Sequence, residues 1–482
     1  MTVASGPRAA LQQTDERAPE RAALLTPDER AALGRRARKA VPLEQHAACE
    51  DGPTDAVAML RSDDPFRVPE LLPIRYGRML TSPFAFYRGS AAVMAADLAG
   101  QEHSGLEVQL CGDAHLSNFG VFRSPERRLV FDVNDFDETL PGPFEWDVKR
   151  LAASLALAGR ENGHEAKDRR RTVLAAVGAY RTAMREFAEQ GNLAVWYAAM
   201  DVERVIADLA PKASAAERKR GRANLERARR NDSTRALRKL TVTEGGRTRF
   251  LSQPPLLVPV GELVAEVDAT VVRRSLLEVL STYRESLPED RRHLLDQFEL
   301  VEVARKVVGV GSVGTHAYVL LLAGRDSADP LVLQAKEARA SVLEPHLEAS
   351  RHENSAERVV AGQRLMQASS DIFLGWQRTL ERGGEVRDYY VRQLRDGKAS
   401  AEVGEMRPRI LGIYGGLCAW TLARAHARSG DRVAIAAYLG KRDRFDQAVA
   451  DFAETYADRA ESQYRQLRDA VDSGAVTATL GV

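Results

Sequence analysis

The stretch from Val301 to Ala338 sets the strongest limit on the fold. It alternates apolar and polar residues, is rich in Val and Leu, and is broken by Gly309, Gly311 and Gly314. That pattern reads as strands joined by glycine turns. The sequence around it differs. Residues from about 165 to 239 and from 264 to 297, and the tail from Leu411, carry helical apolar spacing. A strand-rich block set within helical sequence predicts an α+β protein with a small β-rich unit and a larger helix-rich one. With 482 residues the chain is long enough for two or three packed units. The expected divisions are a mobile N-terminal arm over 1–40 with room for one short helix, a helix-rich unit over 41–300, the β-rich unit over 301–397, and C-terminal helices over 398–482 that complete the larger unit.

Smaller elements refine this picture. Leu106–Leu110 and Leu129–Phe131 read as strands flanking a loop, Cys111–Asn118. Helices are expected over Ser90–Leu98, from Asp147 onward, and over about 355–368. A hairpin fits between Thr241 and Val260. Two further strands, Asp371–Trp376 and Asp388–Leu394, are joined by a glycine turn. Gln393–Gly397 is expected as a hinge, and Tyr414–His426 as a helix of the larger unit.

Composition excludes several function classes. Net charge is +1, which argues against wholesale attraction to nucleic acid or anionic membrane. The basic segment 218–239, with Arg227, Arg229, Arg230, Arg235, Arg238 and Lys239, has no interleaved aromatics for stacking and reads as a solvated helix face. The three cysteines, Cys49, Cys111 and Cys418, form no CxxC pair, which excludes a cysteine zinc site and fits a reducing compartment. No stretch approaches a membrane span or a secretory leader. The expectation is a cytoplasmic protein without membrane or nucleic-acid partners.

Two constellations carry chemistry. Phosphoryl transfer needs a carboxylate to orient the nucleophile and oxygen ligands to hold magnesium against the phosphates. Kinases supply these from a D-x-x-x-x-N loop between strands and a second Asp after the next strand. Asp113-Ala-His-Leu-Ser-Asn118 has that spacing, and Asp132 and Asp135 are the later candidates. Gly-Asp and Asn are also ordinary turn formers, and Gly112-Asp-Ala-His115 matches one block of metallophosphoesterases, although the Gly-Asn-His block that reading needs is missing. The loop resembles the H-G-D-x-H-x-x-N loop of aminoglycoside phosphotransferases, with Cys111 in place of the first His. Asp135-Phe-Asp-Glu-Thr and Pro143-Phe-Glu-Trp-Asp147 resemble that family's metal-binding Asp and its later helix-opening Asp. The resemblance favours Asp135 over Asp132. It implies Asp113 as catalytic base, Asn118 and Asp135 as metal ligands, and His115 as a brace.

In the second constellation, Gly309-Val-Gly-Ser-Val-Gly314 is followed by an apolar run that reads as a strand, which disfavours a dinucleotide fingerprint and suits a glycine loop over ATP phosphates. Leu331-Val-Leu-Gln-Ala-Lys336 resembles the kinase strand whose lysine pairs with the α- and β-phosphates. Glu353 and Glu357 are candidate partners for Lys336, with Glu357 favoured. Gly309, Gly311, Gly314 and Lys336 are thus the expected nucleotide-binding residues. The catalytic loop precedes the glycine loop, the reverse of ordinary kinase order, so the expected fold is a two-lobed protein-kinase-like α+β fold in circularly permuted order. Arg88, just before a helix, is a candidate phosphate or substrate clamp with a surface salt bridge as its rival. His426 and Cys111 are expected to pack.

The expected function is an ATP- and Mg-dependent phosphotransferase with a small-molecule or protein acceptor; transfer of AMP would use similar parts. A non-catalytic nucleotide-binding regulator and a metal-dependent phosphoesterase are the alternatives. Across most of its length the chain also resembles the bacterial domain of unknown function 2252 family, through Ser82–Gly89, the Cys111 loop, Asp135–Pro143, Gln334–Ala338 and Gly375-Trp376.

Overall fold

The computed structural model describes residues 25–49, 54–209, 237–238, 240–244, 247–263, 269–307, 309–326, 329–380, 384–394 and 401–482, with isolated positions between 215 and 226. Helices and strands are mixed, as the alternating and helical segments require.

The alternating block builds a six-stranded sheet whose strands lie, edge to edge, in the order 375–380, 386–393, 330–338, 317–323, 299–306 and 257–259. Its strands are β8 (Leu257–Pro259), β9 (Glu299–Lys306), β10 (Ala317–Ala323), β11 (Pro330–Ala338), β12 (Gly375–Leu380) and β13 (Val386–Gln393), and every pairing is antiparallel. Period-two alternation separates its faces. Leu320, Leu322 and Leu333 join Tyr283 and Leu295 of the helices Ala269–Glu285 and Glu289–Leu295, and Leu287 of the link between them, in one core. Val319, Leu321 and Val332 face the other way, toward Phe250 and Leu257. Burial on both faces explains why β10 and β11 read as nearly continuous apolar runs.

The helices form a second and larger core. Phe144–Glu161 packs against Arg444–Asp472, and Ala166–Ala188 against Pro408–Ser429. Short strands sit on this body: β1 (Glu107–Leu110) pairs with β4 (Leu140–Pro143), and β2 (Phe119–Arg123) with β3 (Leu129–Val133). The chain therefore leaves the helical body, builds the sheet, and returns. One helix, Ser355–Met366, falls between β11 and β12 and touches β12, β13 and the helix Pro408–Ser429, so it links the two.

Several expectations need revision. The short helix allowed for in the N-terminal arm is Pro27–Ala40, opened by a Thr26–Glu29 capping box, but it packs on the helical body and is no loose arm. It lies so close to Arg432–Leu439 that a Cβ on Gly34 would fall 2.0 Å from the Ala434 carbonyl oxygen. The described part of 165–239 is almost wholly helical, as expected, with one short strand the spacing did not show, β5 (Met200–Asp201), paired with β3. The strand expected from Asp371 begins at Gly375, since the Asp371 carboxylate accepts from the Phe373 N–H at 2.9 Å and makes a turn there. The helix at Asp147 starts earlier, at Phe144. Most of the basic segment 218–239, and the hinge beyond Leu394, lie outside the described residues. Among the described residues, no helix is long and apolar enough to cross a membrane.

Candidate functional site

The loop after β1 is built from its backbone outward. Gly112 has φ +81°, and a Cβ there would lie 2.3 Å from the Glu138 carbonyl oxygen, so both conformation and space demand glycine. The buried Asp147, in the first turn of Phe144–Glu161, reaches back to this turn. Its carboxylate accepts from the Cys111 N–H at 2.8 Å and the Gly112 N–H at 3.1 Å. His426 Nε2 lies 3.2 Å from the same carboxylate, and its Nδ1 lies 2.8 Å from the Tyr180 hydroxyl. Asp147 and His426 thus fix the shape of the loop. Cys111 is fully buried, and burial with the adjacent Asp147 charge pushes its thiol well above the usual range, which makes it an inert packing group.

Asp113 follows, with about a fifth of its side chain exposed. Arg150 Nε donates to Asp113 Oδ1 at 2.6 Å, while Arg150 Nη2 donates to the Tyr87 carbonyl at 2.8 Å and the guanidinium lies over the Tyr87 ring. The other oxygen, Oδ2, is 3.5 Å from His115 Nε2. The Ser117 N–H donates to His115 Nδ1 at 3.1 Å, which puts the proton of the neutral ring on Nε2, toward Asp113. Burial lowers the His115 pKa to about 4 against the pull of Asp113, so the ring stays neutral at physiological pH. Asn118 spends its amide N–H on the Asp113 carbonyl at 2.6 Å, leaving its side-chain oxygen as the group able to meet a cation.

The two later aspartates have different surroundings. Asp132 is 1 % exposed, ion-paired to Arg424, and accepts from the Ala368 N–H at 2.8 Å. Asp135 keeps about a third of its side chain exposed and lies 3.7 Å from Lys336 Nζ. Burial opposes its ionisation, but the charges of Lys336 and Arg392 outweigh that and hold its pKa at about 2. The Asn134 N–H donates to the Asn118 carbonyl at 2.8 Å, so the segment leading to Asp135 is tied directly to the end of the Asp113 loop.

Lys336 arrives from the sheet. It sits opposite Tyr390 in the β11–β13 register, and both side chains reach Asp137: Lys336 Nζ in a close ion pair, the Tyr390 hydroxyl at 2.8 Å. Burial disfavours the lysine charge, yet Asp135 and Asp137 raise its pKa above the ordinary value. Burial and the neighbouring Asp135 push Asp137 the other way for an acid, upward. The expected pairing of Lys336 with Glu357 is not the one observed. The Glu357 carboxylate lies 3.6 Å from His352 Nδ1 and is more than a third exposed. The next residue, Arg358, points inward instead and donates to the carbonyls of Thr139 (2.6 Å), Asp137 (2.7 Å) and Arg339 (2.7 Å).

The glycine loop lies beside these groups. Gly309 and Gly314 have φ of +66° and +88°. A Cβ on Gly311 would come 3.3 Å from the Arg88 carbonyl oxygen. Arg78 donates to the Gly309 carbonyl at 2.6 Å, and the Val68 N–H to that of Gly314 at 2.8 Å. Ser312 Oγ is 3.5 Å from Asp137 Oδ2.

The structure therefore gathers Asp113, His115, Asn118 and Asp135 with Lys336, sets Gly309–Gly314 against Asp137 and Arg88, keeps Asp147 behind the loop, and leaves Glu357 aside. Sequence reading missed Asp137, Arg150, Arg358 and Glu138. Asp137 had a signal in its i, i+2 spacing from Asp135; the two buried arginines had none. Burial raises the Glu138 pKa to about 7, against the Val342 N–H that donates to it at 2.8 Å and the nearby Arg358.

A magnesium ion fits the donor chemistry. Asn118 and Asp135 offer oxygen only, and magnesium usually takes one or two carboxylates and completes its shell with water and substrate phosphate. Among the described residues, no group of three or more His, Cys, Asp or Glu is placed to hold a metal by itself.

Residues 67–470 match the model of a family described as an uncharacterized protein conserved in bacteria, DUF2252. No curated protein and no solved structure matches the chain.

Proposed function

We propose that this chain, which belongs to the bacterial DUF2252 family, is an ATP- and magnesium-dependent phosphotransferase with a two-lobed, kinase-like architecture in permuted order. The observation that carries the reading is the meeting of Lys336, at the end of a sheet strand, with Asp135 and Asp137, in a loop 199 residues earlier than the lysine in the case of Asp137. A lysine at a strand end, a glycine loop beside it and an Asp after a D-x-x-x-x-N loop are the parts that hold nucleotide phosphates and magnesium. Their convergence from distant sequence is hard to explain as turn chemistry alone.

In this reading Asp113 orients the acceptor hydroxyl and receives its proton. Arg150 and the neutral His115 fix its carboxylate, so the base is held ready in one orientation. Asn118 and Asp135 would hold magnesium, which supplies neutralisation of the phosphate charge when bound. Lys336 would exchange Asp137 for the α- and β-phosphates, with the Gly309–Gly314 amides covering them. The return of the chain from the sheet to the helical body supports the permuted order, because helix Pro408–Ser429 completes the core that Ala166–Ala188 begins. His115 has both ring nitrogens engaged within its own loop, which weighs against a metal-ligand role and a phosphoesterase.

A thermal-shift titration with ATP and magnesium, paired with a turnover assay over candidate acceptors, tests the reading. Wild type is expected to gain stability, Asp135→Ala to lose the response, and Asp113→Ala to keep binding but lose turnover. Absence of any nucleotide response in wild type would overturn it.

A further inference from the structure

Every other cation around the candidate site is committed. Lys336 is paired with Asp135 and Asp137, and Arg150 with Asp113. Arg358 is spent on three carbonyls and Arg392 donates to the Asn134 carbonyl at 2.9 Å. Arg88 differs. Among the described residues it donates no hydrogen bond and joins no ion pair, and its Nε is buried without a partner. It ends the short helix Pro83–Arg88, beside Tyr87, whose carbonyl Arg150 holds. The glycine loop closes over its backbone at Gly311.

Arg88 as a whole is half-buried, so its cost falls on Nε, which is shut away from water without a partner while the rest of the five-donor fork stays open to one. Burial accordingly pulls the Arg88 pKa below the ordinary range, only partly offset by Asp113 and Glu161, which act on it without bonding it. A planar, permanently charged fork in this state is suited to bidentate capture of a carboxylate or phosphate. Its position says which anion. Arg88 interacts electrostatically with Asp113 and His115, the groups at the base end of the site, whereas Lys336 answers to Asp135 and Asp137, and Asp135 to Lys336 and Arg392.

We propose that Arg88 binds an anionic group of the phosphoryl acceptor, so that the acceptor is a hydroxyl-bearing carboxylate or phosphate whose hydroxyl is presented to Asp113. This rests on the phosphotransferase reading and names its substrate class. The anion anchors the acceptor, and the hydroxyl loses its proton to Asp113 as its oxygen bonds the γ-phosphorus and ADP leaves.

The test is calorimetric titration of the full chain with two probes, inorganic phosphate and glycolate, first alone and then with a non-hydrolysable ATP analogue and magnesium at saturation. Wild type is expected to bind at least one probe beside the nucleotide; the probe that binds distinguishes a phosphate from a carboxylate acceptor. Arg88→Met should weaken that binding at least tenfold while leaving analogue affinity within twofold, and Arg88→Lys should recover part of it. Circular dichroism checks that both variants fold. The proposal is overturned if neither probe binds wild type, if Arg88→Met binds as wild type does, or if Arg88→Met instead loses the analogue, which would assign Arg88 to the nucleotide. If the analogue fails to bind wild type, the phosphotransferase reading falls. The titration without nucleotide then still decides whether Arg88 holds an anion.

Discussion

The two halves of the site are held in different ways. The loop half, Cys111–Asn118, is fixed from behind by the helical body. Asp147 takes two of its amides, Arg150 takes its carboxylate, and the Tyr414 hydroxyl donates to the carbonyls of Leu116 (2.9 Å) and Phe119 (3.2 Å). The sheet half meets the loop at one place instead, its polar groups converging on Asp137: Lys336, Tyr390 and Ser312 on its carboxylate, Arg358 on its carbonyl. A base benefits from being preorganised before substrate arrives. A phosphate-holding lysine must be free to trade one anion for another. On the proposed reading, the contrast suits a rigid Asp113 and an exchangeable Lys336.

Asp147→Ala should break the contrast most severely. It strands two buried amides and the His426 imidazole, and a loss of about 3–5 kcal/mol is expected by urea denaturation at pH 7. A loss under about 1 kcal/mol would mean the loop half is not locked from behind. Arg358→Met comes next, removing the donor that ties helix Ser355–Met366 to three carbonyls. It should cost about 2–4 kcal/mol. It should also raise amide exchange in Asp135–Thr139 more than in Cys111–Asn118, and equal change in both segments would erase the distinction between the halves.

Glu138 gives a pH-dependent test. Burial raises its folded pKa from the ordinary glutamate value of 4.5 to about 7, so the folded state keeps the proton longer than the unfolded chain does. Its contribution is most favourable below the unfolded value and is lost as pH rises toward 7. Glu138→Gln should therefore match wild type near the unfolded pKa and become more stable above pH 7, by up to roughly 3 kcal/mol. Parallel stability curves over that range would count against the buried environment assigned to Glu138. Ser312→Ala should have the smallest effect, under about 0.5 kcal/mol on folding, because its contact with Asp137 is long and part-buried. A larger loss would show the glycine loop to be fastened rather than resting on the site.

Much of this was legible locally. The Val- and Leu-rich sequence from Val301 to Ala338 announced the sheet because extended strands place successive residues on opposite faces and β10 and β11 bury both, and Gly112, Gly309 and Gly314 do occupy positive φ. The loop spacing marked Asp113 and Asn118. Other elements resisted reading for physical reasons. Asp371 looks like part of a strand until its side chain is seen to cap a turn. Pro27–Ala40 has little to bury by composition, yet a single glycine lets it approach another helix closely. Glu357 and Arg358 are neighbours, and only helix rotation determines which points inward.

The sequence by itself determined the α+β class, the strand-flanked loop and the glycine turns, since each follows from short-range pattern and backbone sterics. The tertiary structure alone decided that Lys336 pairs with Asp137 and Asp135, that Asp147 serves the loop backbone, and that the Arg88 side chain has no hydrogen-bond or ion-pair partner among the described residues. Those outcomes depend on which side chains meet across long separations in the chain. Charge pairing is a property of the packed neighbourhood, and the linear order does not encode it.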